Sequence, residues 1–372
     1  MREQIETLII GGGQSGLAVG YHLAKAHRQF LILEANERTG DSWRKRWDSL
    51  RVFSPAKFNG LPGMRFPAPS LSFPTKDAVA DFQESYATRF KLPVRTSTRV
   101  DALGREGDRY VVSTLQRTYE ADNVVIATGA NQVAKVPPFA SELNQGITQM
   151  HSSEYKSPAQ LREGDVLVVG TGNSGAELSF ELSKSRRVWL AGSTPREVPF
   201  KHGTGAAVFA LPMIRILGTY VLTLDTPMGK KAQPQFLRHG PPLIRVKMQD
   251  LIAAGVERAP RVTGVRDGLP LLADDRALDV ANVIWCTGFK LDFGWVHMPV
   301  FGADGRPIQY RGTVESQPGL YFMGLEFQYA AASGVLPGIA RDARYVARHI
   351  LDRVPEKAQE SIGEYAAVSM PK

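Results

Sequence analysis

Two glycine-rich hexapeptides, residues 11–16 and 170–175, are the segments of this sequence whose residue types and spacing best suit the binding of a reactive cofactor. Both fit the pattern G-x-G-x-x-G, and each lies between a short apolar run and residues with helical apolar spacing. In such a strand–turn–helix unit the glycines allow a tight turn and let a pyrophosphate approach the helix N-terminus, although similar turns also join elements that bind nothing. Two copies predict two dinucleotides in one chain. The residues expected at the nucleotides are Gly11, Gly13, Ser15, Gly16, Gly170, Gly172, Asn173, Ser174 and Gly175.

The two copies differ at the end of the strand that follows each helix. The first such strand, 30–33, ends in Glu34, and a carboxylate there accepts hydrogen bonds from an adenosine ribose diol. This arrangement suits FAD or NAD and repels a 2′-phosphate. The matching strand, 188–192, has no carboxylate at its end and leads to Ser193 and Arg196. Hydroxyl and guanidinium groups suit a 2′-phosphate, so the second turn is predicted to bind NADPH rather than NADH, the alternative being a solvated surface arginine.

Length and composition agree with a soluble enzyme of a reducing compartment. The chain has 372 residues, 43% hydrophobic and 22% charged, which leaves room for two domains with substantial cores. Its single cysteine, Cys286, excludes a disulfide scaffold and a cysteine-rich metal site and suits the cytoplasm. The seven histidines show no ligand spacing, so we expect no metal. An apolar strand begins close to the N-terminus, and we therefore expect no signal peptide.

The net charge of +8 and the isoelectric point near 9.5 raise the question of anionic partners. The basic residues are scattered and no recognition motif accompanies them, so phosphate-rich cofactors and anionic substrates explain the charge better than nucleic acid. One stretch, 203–224, resembles a membrane segment, but Pro212 and Arg215 interrupt it. An apolar channel wall or an interfacial helix is therefore a better interpretation than a transmembrane span.

The order of the elements predicts an α/β protein with two Rossmann-like dinucleotide-binding domains, one inserted into the other. An apolar strand followed by Thr128-Gly129 is repeated as a strand followed by Thr287-Gly288, and such duplication indicates two related nucleotide folds. We assign 1–158 to the first part of one domain, 159–288 to the inserted domain and 289–372 to the return of the first. Further expected elements are a helix at 76–90, strands at 94–100 and 110–115, and a final helix near 338–351.

The motifs together resemble the class B flavin-dependent monooxygenases, most of all the flavin-containing and plant YUCCA-type members and their short bacterial relatives. The resemblance spans nearly the whole chain in the family's order, through 11–16 with Glu34, Trp43-Arg44 to Arg51, 127–129, 170–175 and 286–289. It implies FAD in the outer domain and NADPH in the inserted one. It also implies a monooxygenase that forms a C4a-(hydro)peroxyflavin with O2 and oxygenates a soft sulfur or nitrogen of a small molecule.

The family's fingerprint between the domains, F-x-G-x-x-x-H-x-x-x-[Y/F], is present in a degraded form. His151 and Tyr155 match, but Gln145 replaces the phenylalanine and the glycine lies one place early, at Gly146. Baeyer–Villiger members have tryptophan where this chain has Tyr155, so the resemblance favours heteroatom oxygenation. His151 has either a chemical role or the structural role of ordering the linker between the domains.

The resemblance also suggests individual cofactor contacts, and for several of them a purely structural role is the alternative. Trp43 and Trp47 flank the flavin or fill the core, and Arg44 faces the FAD phosphates or water. Asn59 lies in the loop where animal members place an asparagine near flavin N5, although the local spacing differs and a turn asparagine is equally consistent. The remaining expected contacts are Val100 at the adenine, Gly324 near the flavin, and Thr128, Gly129, Thr287 and Gly288 after the two repeated strands.

Two alternatives remain open from the sequence. The first is an NAD(P)H-dependent flavin reductase or dehydrogenase without oxygen transfer; a disulfide reductase is excluded because it needs a cysteine pair. The second is a non-catalytic flavoprotein that senses redox state. A small-molecule substrate and O2 are the expected partners, and a homodimer is compatible with the sequence.

Overall fold

The computed structural model describes residues 2–353 as an α/β chain with two large sheets, the first mixed and the second parallel. The strands, in chain order, are β1 Arg2–Ile10, β2 Phe30–Leu33, β3 Val94–Arg95, β4 Val100–Glu106, β5 Arg109–Thr114, β6 Thr118–Ile126, β7 Val133–Ala134, β8 Thr148–His151, β9 Val166–Val169, β10 Val188–Ala191, β11 Glu257–Ala259, β12 Val262–Arg266, β13 Leu269–Leu272, β14 Asn282–Trp285, β15 Phe289–Lys290 and β16 Leu320–Phe322. The α-helices are α1 Gln14–Lys25, α2 Asp41–Arg44, α3 Lys76–Arg89, α4 Asn173–Leu182, α5 Thr204–Val208, α6 Ala210–Ile216, α7 Pro227–His239, α8 Met248–Ala253 and α9 Leu336–Asp352.

The first sheet has seven strands, ordered β3-β2-β1-β6-β5-β4, with β16 pairing to the end of β6. Strands β3, β2, β1, β6 and β16 run parallel, and β5 and β4 form an antiparallel extension. The continuous apolar runs of β1 and β2 are buried because helices and loops cover both faces of the sheet. Helices α1 and α9 pack on one face, where Leu17, Val346 and Ile350 are fully buried.

The second sheet has five parallel strands in the order β11-β10-β9-β14-β8. Helix α4 follows β9 and packs its Leu178 and Leu182 into the core beneath the sheet. In both sheets a glycine turn joins the central strand to its helix, at the carboxyl end where open α/β sheets bind their ligands. The structure therefore confirms the predicted fold class of two Rossmann-like units.

The short strands β7 and β15 are the two connections between the sheets, and they pair with each other, Phe289 opposite Ala134. The predicted boundary at residue 158 is too late, because β8 lies before it and pairs with β14 of the second sheet. The expected third range, 289–372, extends into residues 354–372, which lie outside the described residues.

Two other sequence predictions differ from the structure. The expected strand at 94–100 is interrupted after β3, because Ser97 adopts a left-handed φ of 50° and the next strand starts at Val100. The apolar stretch 203–224 folds as α5, α6 and a turn of π-helix at Leu217–Val221. In the part of the chain from 2 to 353, no helix is long and apolar enough to cross a membrane.

Candidate dinucleotide sites

The first glycine turn is closed at its ends and open in its middle. Gly11 has a φ of +112°, and a Cβ there would lie 2.5 Å from the carbonyl oxygen of Ala127. A Cβ on Gly16 would lie 2.0 Å from the Gly11 carbonyl oxygen, whereas a Cβ on Gly13 would meet nothing within 4 Å. Gly13 begins α1 and no side chain caps that helix end, which leaves the first N–H groups of the helix available to a phosphate.

The second turn repeats this geometry. Gly170 has a φ of +114°, and its Cβ would lie 2.3 Å from the carbonyl oxygen of Cys286. A Cβ on Gly175 would lie 1.8 Å from the Gly170 carbonyl oxygen, and one on Gly172 would meet nothing within 4 Å. Gly172 begins α4, again without a side-chain cap. Each turn therefore offers an open cradle that fits a pyrophosphate at a helix N-terminus.

An amide side chain in each turn fixes a neighbouring segment against it. The Oε1 atom of Gln14 accepts a hydrogen bond from the indole Nε1 of Trp43 at 3.0 Å. At the equivalent position, Asn173 donates from Nδ2 to the Pro242 carbonyl at 3.0 Å and accepts from the Ile244 N–H at 3.1 Å. The structure therefore places Trp43 at the first turn. Ser15 and Ser174 occupy equivalent positions in the first turns of α1 and α4.

The strand that follows each helix ends differently in the two units. After β2, the carboxylate of Glu34 is 8% exposed, and its Oε2 accepts the Gly12 N–H at 2.7 Å. After β10 the equivalent residue is Gly192, with a φ of +146°. Thr171 replaces Gly12 in the second turn, and its hydroxyl donates to the Ser193 carbonyl at 2.7 Å. A negative charge thus lies beside the first turn, and neutral hydrogen-bonding groups lie beside the second.

Two arginines lie at the end of β10. The Nη2 atom of Arg196 donates to the Gly240 carbonyl at 2.9 Å, and the side chain is exposed. Arg258, on β11, donates from Nη2 to the Gly192 carbonyl at 3.0 Å. Sequence reasoning missed Arg258, because only the parallel pairing of β11 with β10 brings it to this strand end.

His151 orders the junction between the two units. Its imidazole is 1% exposed, Nε2 lies 3.0 Å from the Gly288 carbonyl oxygen, and Nδ1 accepts the Ser153 N–H at 3.2 Å. These partners define the tautomer with hydrogen on Nε2. Burial lowers the pKa of His151, so the ring is neutral at physiological pH. Together with a bond from the Thr287 hydroxyl to the Lys135 carbonyl, this contact supports the linker role over a chemical one.

Other fingerprint residues lie in the core of the second unit. Tyr155 is fully buried, and its hydroxyl donates to Glu181 at 3.4 Å. Trp47 is 5% exposed and belongs to the same hydrophobic cluster as Tyr155, and this placement supports the packing alternative for Trp47. Lys156 donates to the Lys45 carbonyl and ties this core to the segment that carries Trp47.

Arg44 and Asn59 are placed differently from the expectation of a cofactor contact. The guanidinium of Arg44 donates to Asp81 and Glu84, each at 2.9 Å. Carboxylates therefore neutralise the charge that a FAD phosphate would need. Asn59 is fully buried and exchanges hydrogen bonds with Ser54, which occupies both ends of its amide. The turn interpretation of Asn59 fits this arrangement better than contact with flavin.

Of the remaining expected contacts, Gly324 and Thr128 lie at the first turn. Gly324 approaches it so closely that a Cβ would lie 2.4 Å from the Ser15 hydroxyl oxygen. Thr128 and Gly129 follow β6 directly, and Gly129 has a φ of +74° with no atom near its Cβ position. Val100 begins β4 and packs against the hydrophobic cluster that contains the end of β2.

Two open glycine cradles, one on each of the two large sheets, define a fold that suits two dinucleotides. The profile of the pyridine nucleotide-disulphide oxidoreductase family matches residues 8–196. The chain belongs to this family and is an oxidoreductase.

Similar proteins confirm the resemblance to flavin monooxygenases. The chain is 38% identical to an uncharacterized CzcO-like oxidoreductase of Geobacillus kaustophilus, over 95% of this chain and 100% of that one. It is 28% identical to the probable indole-3-pyruvate monooxygenase YUCCA9 of Arabidopsis thaliana, over 98% and 94% of the two chains. The structure of a flavin-containing monooxygenase from Stenotrophomonas maltophilia matches with a TM-score of 0.75 and 25% identity, over 94% and 98%. Membership in this group implies a flavin and an NADPH-type cofactor.

Proposed function

We propose that this protein is an FAD- and NADPH-dependent monooxygenase that transfers one oxygen atom of O2 to a soft sulfur or nitrogen of a small molecule. The observation that carries the proposal is a pair of glycine turns with the same backbone geometry but different side chains at the end of the following strand. Gly13, the N-terminus of α1 and Glu34 suit the pyrophosphate and adenosine ribose of FAD. Gly172, the N-terminus of α4 and the arginines at the end of β10 suit NADPH.

The residues around the cradles position the cofactors and need not act as acids or bases. Bound FAD would supply the oxygen-transfer chemistry, with electrons from NADPH and oxygen from O2. The chain holds the FAD pyrophosphate at α1, the ribose at Glu34 and one side of the site through Trp43. His151 is neutral and its ring nitrogens are occupied, so it is no proton acceptor here. A soft nucleophile needs no activating base, which agrees with this set of residues.

The chain lacks the cysteine pair that accepts electrons from the flavin in disulfide reductases. Its sequence contains one cysteine, Cys286, which is buried beneath the second turn. Burial raises the pKa of this thiol to about 12, so it stays protonated and unreactive. A dithiol relay needs two thiols, and O2 is therefore the acceptor that we propose.

Rapid mixing of the NADPH-reduced protein with O2 tests this function. We expect a flavin–oxygen species with near-ultraviolet absorbance that persists while NADP+ is bound, and sulfoxide formation from methyl phenyl sulfide in step with NADPH consumption. Cyclohexanone should yield little lactone if Tyr155 marks heteroatom chemistry. A direct return to oxidised flavin with stoichiometric H2O2 would contradict the proposal and favour a reductase or oxidase.

A further inference from the structure

The helical segment at 204–221 turns apolar side chains outward. Phe209, Met213, Ile216 and Tyr220 are 79%, 67%, 54% and 61% exposed. Their spacing of four, three and four residues places them along one face, which we call the apolar stripe. A surface helix of a globular protein normally turns such a face to the core, and contiguous exposed apolar side chains mark an interaction site.

The segment cannot hide this stripe by rotating, because its inner face is fixed. Leu211 and Thr219 are buried beneath it. The Gly218 carbonyl accepts the Ala332 N–H at 3.0 Å, and the Leu224 N–H donates to the Tyr329 carbonyl at 2.8 Å. These backbone bonds attach the segment to the chain before α9 and hold the stripe towards solvent.

The chain on either side of the stripe is rich in basic residues. Residues 198–249 contain one carboxylate, Asp225, and the hydroxyls of Tyr310 and Tyr329 donate to it at 2.8 Å each. The same range contains seven lysines and arginines, of which Lys201, Lys230, Lys231 and Arg238 are exposed. Arg215 of α6 also lines a cavity of about 410 Å³ with Lys57 and Arg65, and no carboxylate is among the described residues that line it.

We propose that the apolar stripe and its basic surroundings dock onto the surface of an anionic lipid bilayer. Exposed aromatic and aliphatic side chains flanked by cations are the combination that binds at the boundary of headgroups and acyl chains. Anionic lipids attract the neighbouring lysines. A second copy of this chain fits the surface less well, because a symmetric interface would bring the same cation-rich surfaces together.

Vesicle flotation with the purified, oxidised full-length protein tests the docking directly. We expect flotation with mixed phosphatidylcholine and phosphatidylglycerol vesicles, little with phosphatidylcholine alone, and release by salt. Replacing Phe209→Ser together with Met213→Ser should weaken binding at least tenfold. Lys230→Ala with Lys231→Ala should weaken it about 25-fold, at about fivefold for each lost charge. The matched control is Leu115→Ser with Ile308→Ser, which removes exposed apolar side chains outside the segment and should change nothing.

A second measurement separates insertion from other outcomes. The emission of a Phe209→Trp variant should shift to shorter wavelength with anionic vesicles, and that of Leu115→Trp should not. Equal binding of the stripe variant and its control, or no shift for Phe209→Trp, would overturn the proposal. A concentration-dependent dimer that the stripe variant abolishes, without vesicle binding, would assign the surface to a second copy. Because the protein is oxidised and no substrate is present, failure of the monooxygenase proposal would leave these results unchanged.

Discussion

The two glycine turns have the same backbone and different surroundings. Both first glycines have a φ near +113°, at +112° and +114°, and in both turns the third glycine packs on the carbonyl of the first. The difference begins at the neighbouring strand end, where Glu34 lies in one unit and Gly192 in the other. Backbone geometry thus creates a pyrophosphate cradle, and the side chains at the next strand decide which dinucleotide it suits.

The helices that follow the turns also differ. At the second position after the last glycine, α1 has Ala18, fully buried in an apolar cluster, and α4 has Glu177. Glu177 pairs with Arg245 at 3.0 Å, and Arg245 also donates to the Arg51 carbonyl of the first unit. The first turn is therefore built onto an apolar core, whereas the second is joined to its neighbour through a half-buried ion pair.

The largest effect is expected where the two turns are most alike. Gly16→Ala and Gly175→Ala should each destabilise their unit by about 3 kcal/mol or more, because a Cβ would overlap a carbonyl oxygen. Gly16→Ala should purify without flavin, and Gly175→Ala should keep flavin and lose reduction by NADPH. Chemical denaturation and flavin absorbance measure both. Gly104→Ala, at a position with open space, is the control; flavin loss in both turn variants alike would show that the units do not act separately.

Glu34→Gln tests the first strand end. The change removes the charged acceptor of the Gly12 N–H and of an adenosine ribose, which should weaken FAD binding about ten- to a hundredfold, or about 1.5–3 kcal/mol. Titration of the apoprotein with FAD measures the effect. Glu197→Gln, beside the second site, should leave FAD affinity unaltered. Equal FAD affinity of Glu34→Gln and the unmodified protein would contradict the assignment of Glu34 to the adenosine ribose of FAD.

Arg196→Ala and Arg258→Ala test the second strand end. Loss of either guanidinium should raise the KM for NADPH about tenfold or more, with little change for NADH, because only NADPH carries the 2′-phosphate. Arg187→Ala is the matched control, since Arg187 pairs with Glu257 at 2.6 Å. An unchanged preference in both variants would place the phosphate contact elsewhere.

Glu177 should give the smallest effect, as a dependence of stability on pH. Burial raises the pKa of its carboxyl from 4.5 to about 7, although Arg245 opposes the shift. The folded state therefore holds this proton more tightly than the unfolded state, and the stability that it contributes is lost as the pH rises from about 4.5 to about 7. Relative to Glu177→Gln, the unmodified protein should lose about 1–2 kcal/mol between pH 5 and pH 7 in urea denaturation. If the free energies of unfolding of the unmodified protein and Glu177→Gln changed with pH in parallel, this effect of burial on Glu177 would be contradicted.

The sequence predicts the parts of the molecule that depend on local spacing. Both turns, both strand ends and the final helix follow from glycine positions and apolar runs, and the structure brings Trp43 to the first turn. Contacts made by distant segments could not be found in this way. Arg258 reaches the second strand end because β11 pairs with β10. Trp47 lies in the first unit's part of the sequence but packs into the core of the second unit. Neutralisation of Arg44 by carboxylates of α3 likewise depends on tertiary packing.

Anaerobic reduction of two matched variants tests the assignment of the two turns most directly. Gly13→Asp and Gly172→Asp each place a carboxylate in the open middle of a cradle without touching the packed glycines. Gly13→Asp should purify without FAD, whereas Gly172→Asp should retain FAD that dithionite reduces but NADPH does not. Full flavin occupancy in Gly13→Asp, or normal reduction of Gly172→Asp by NADPH, would contradict it.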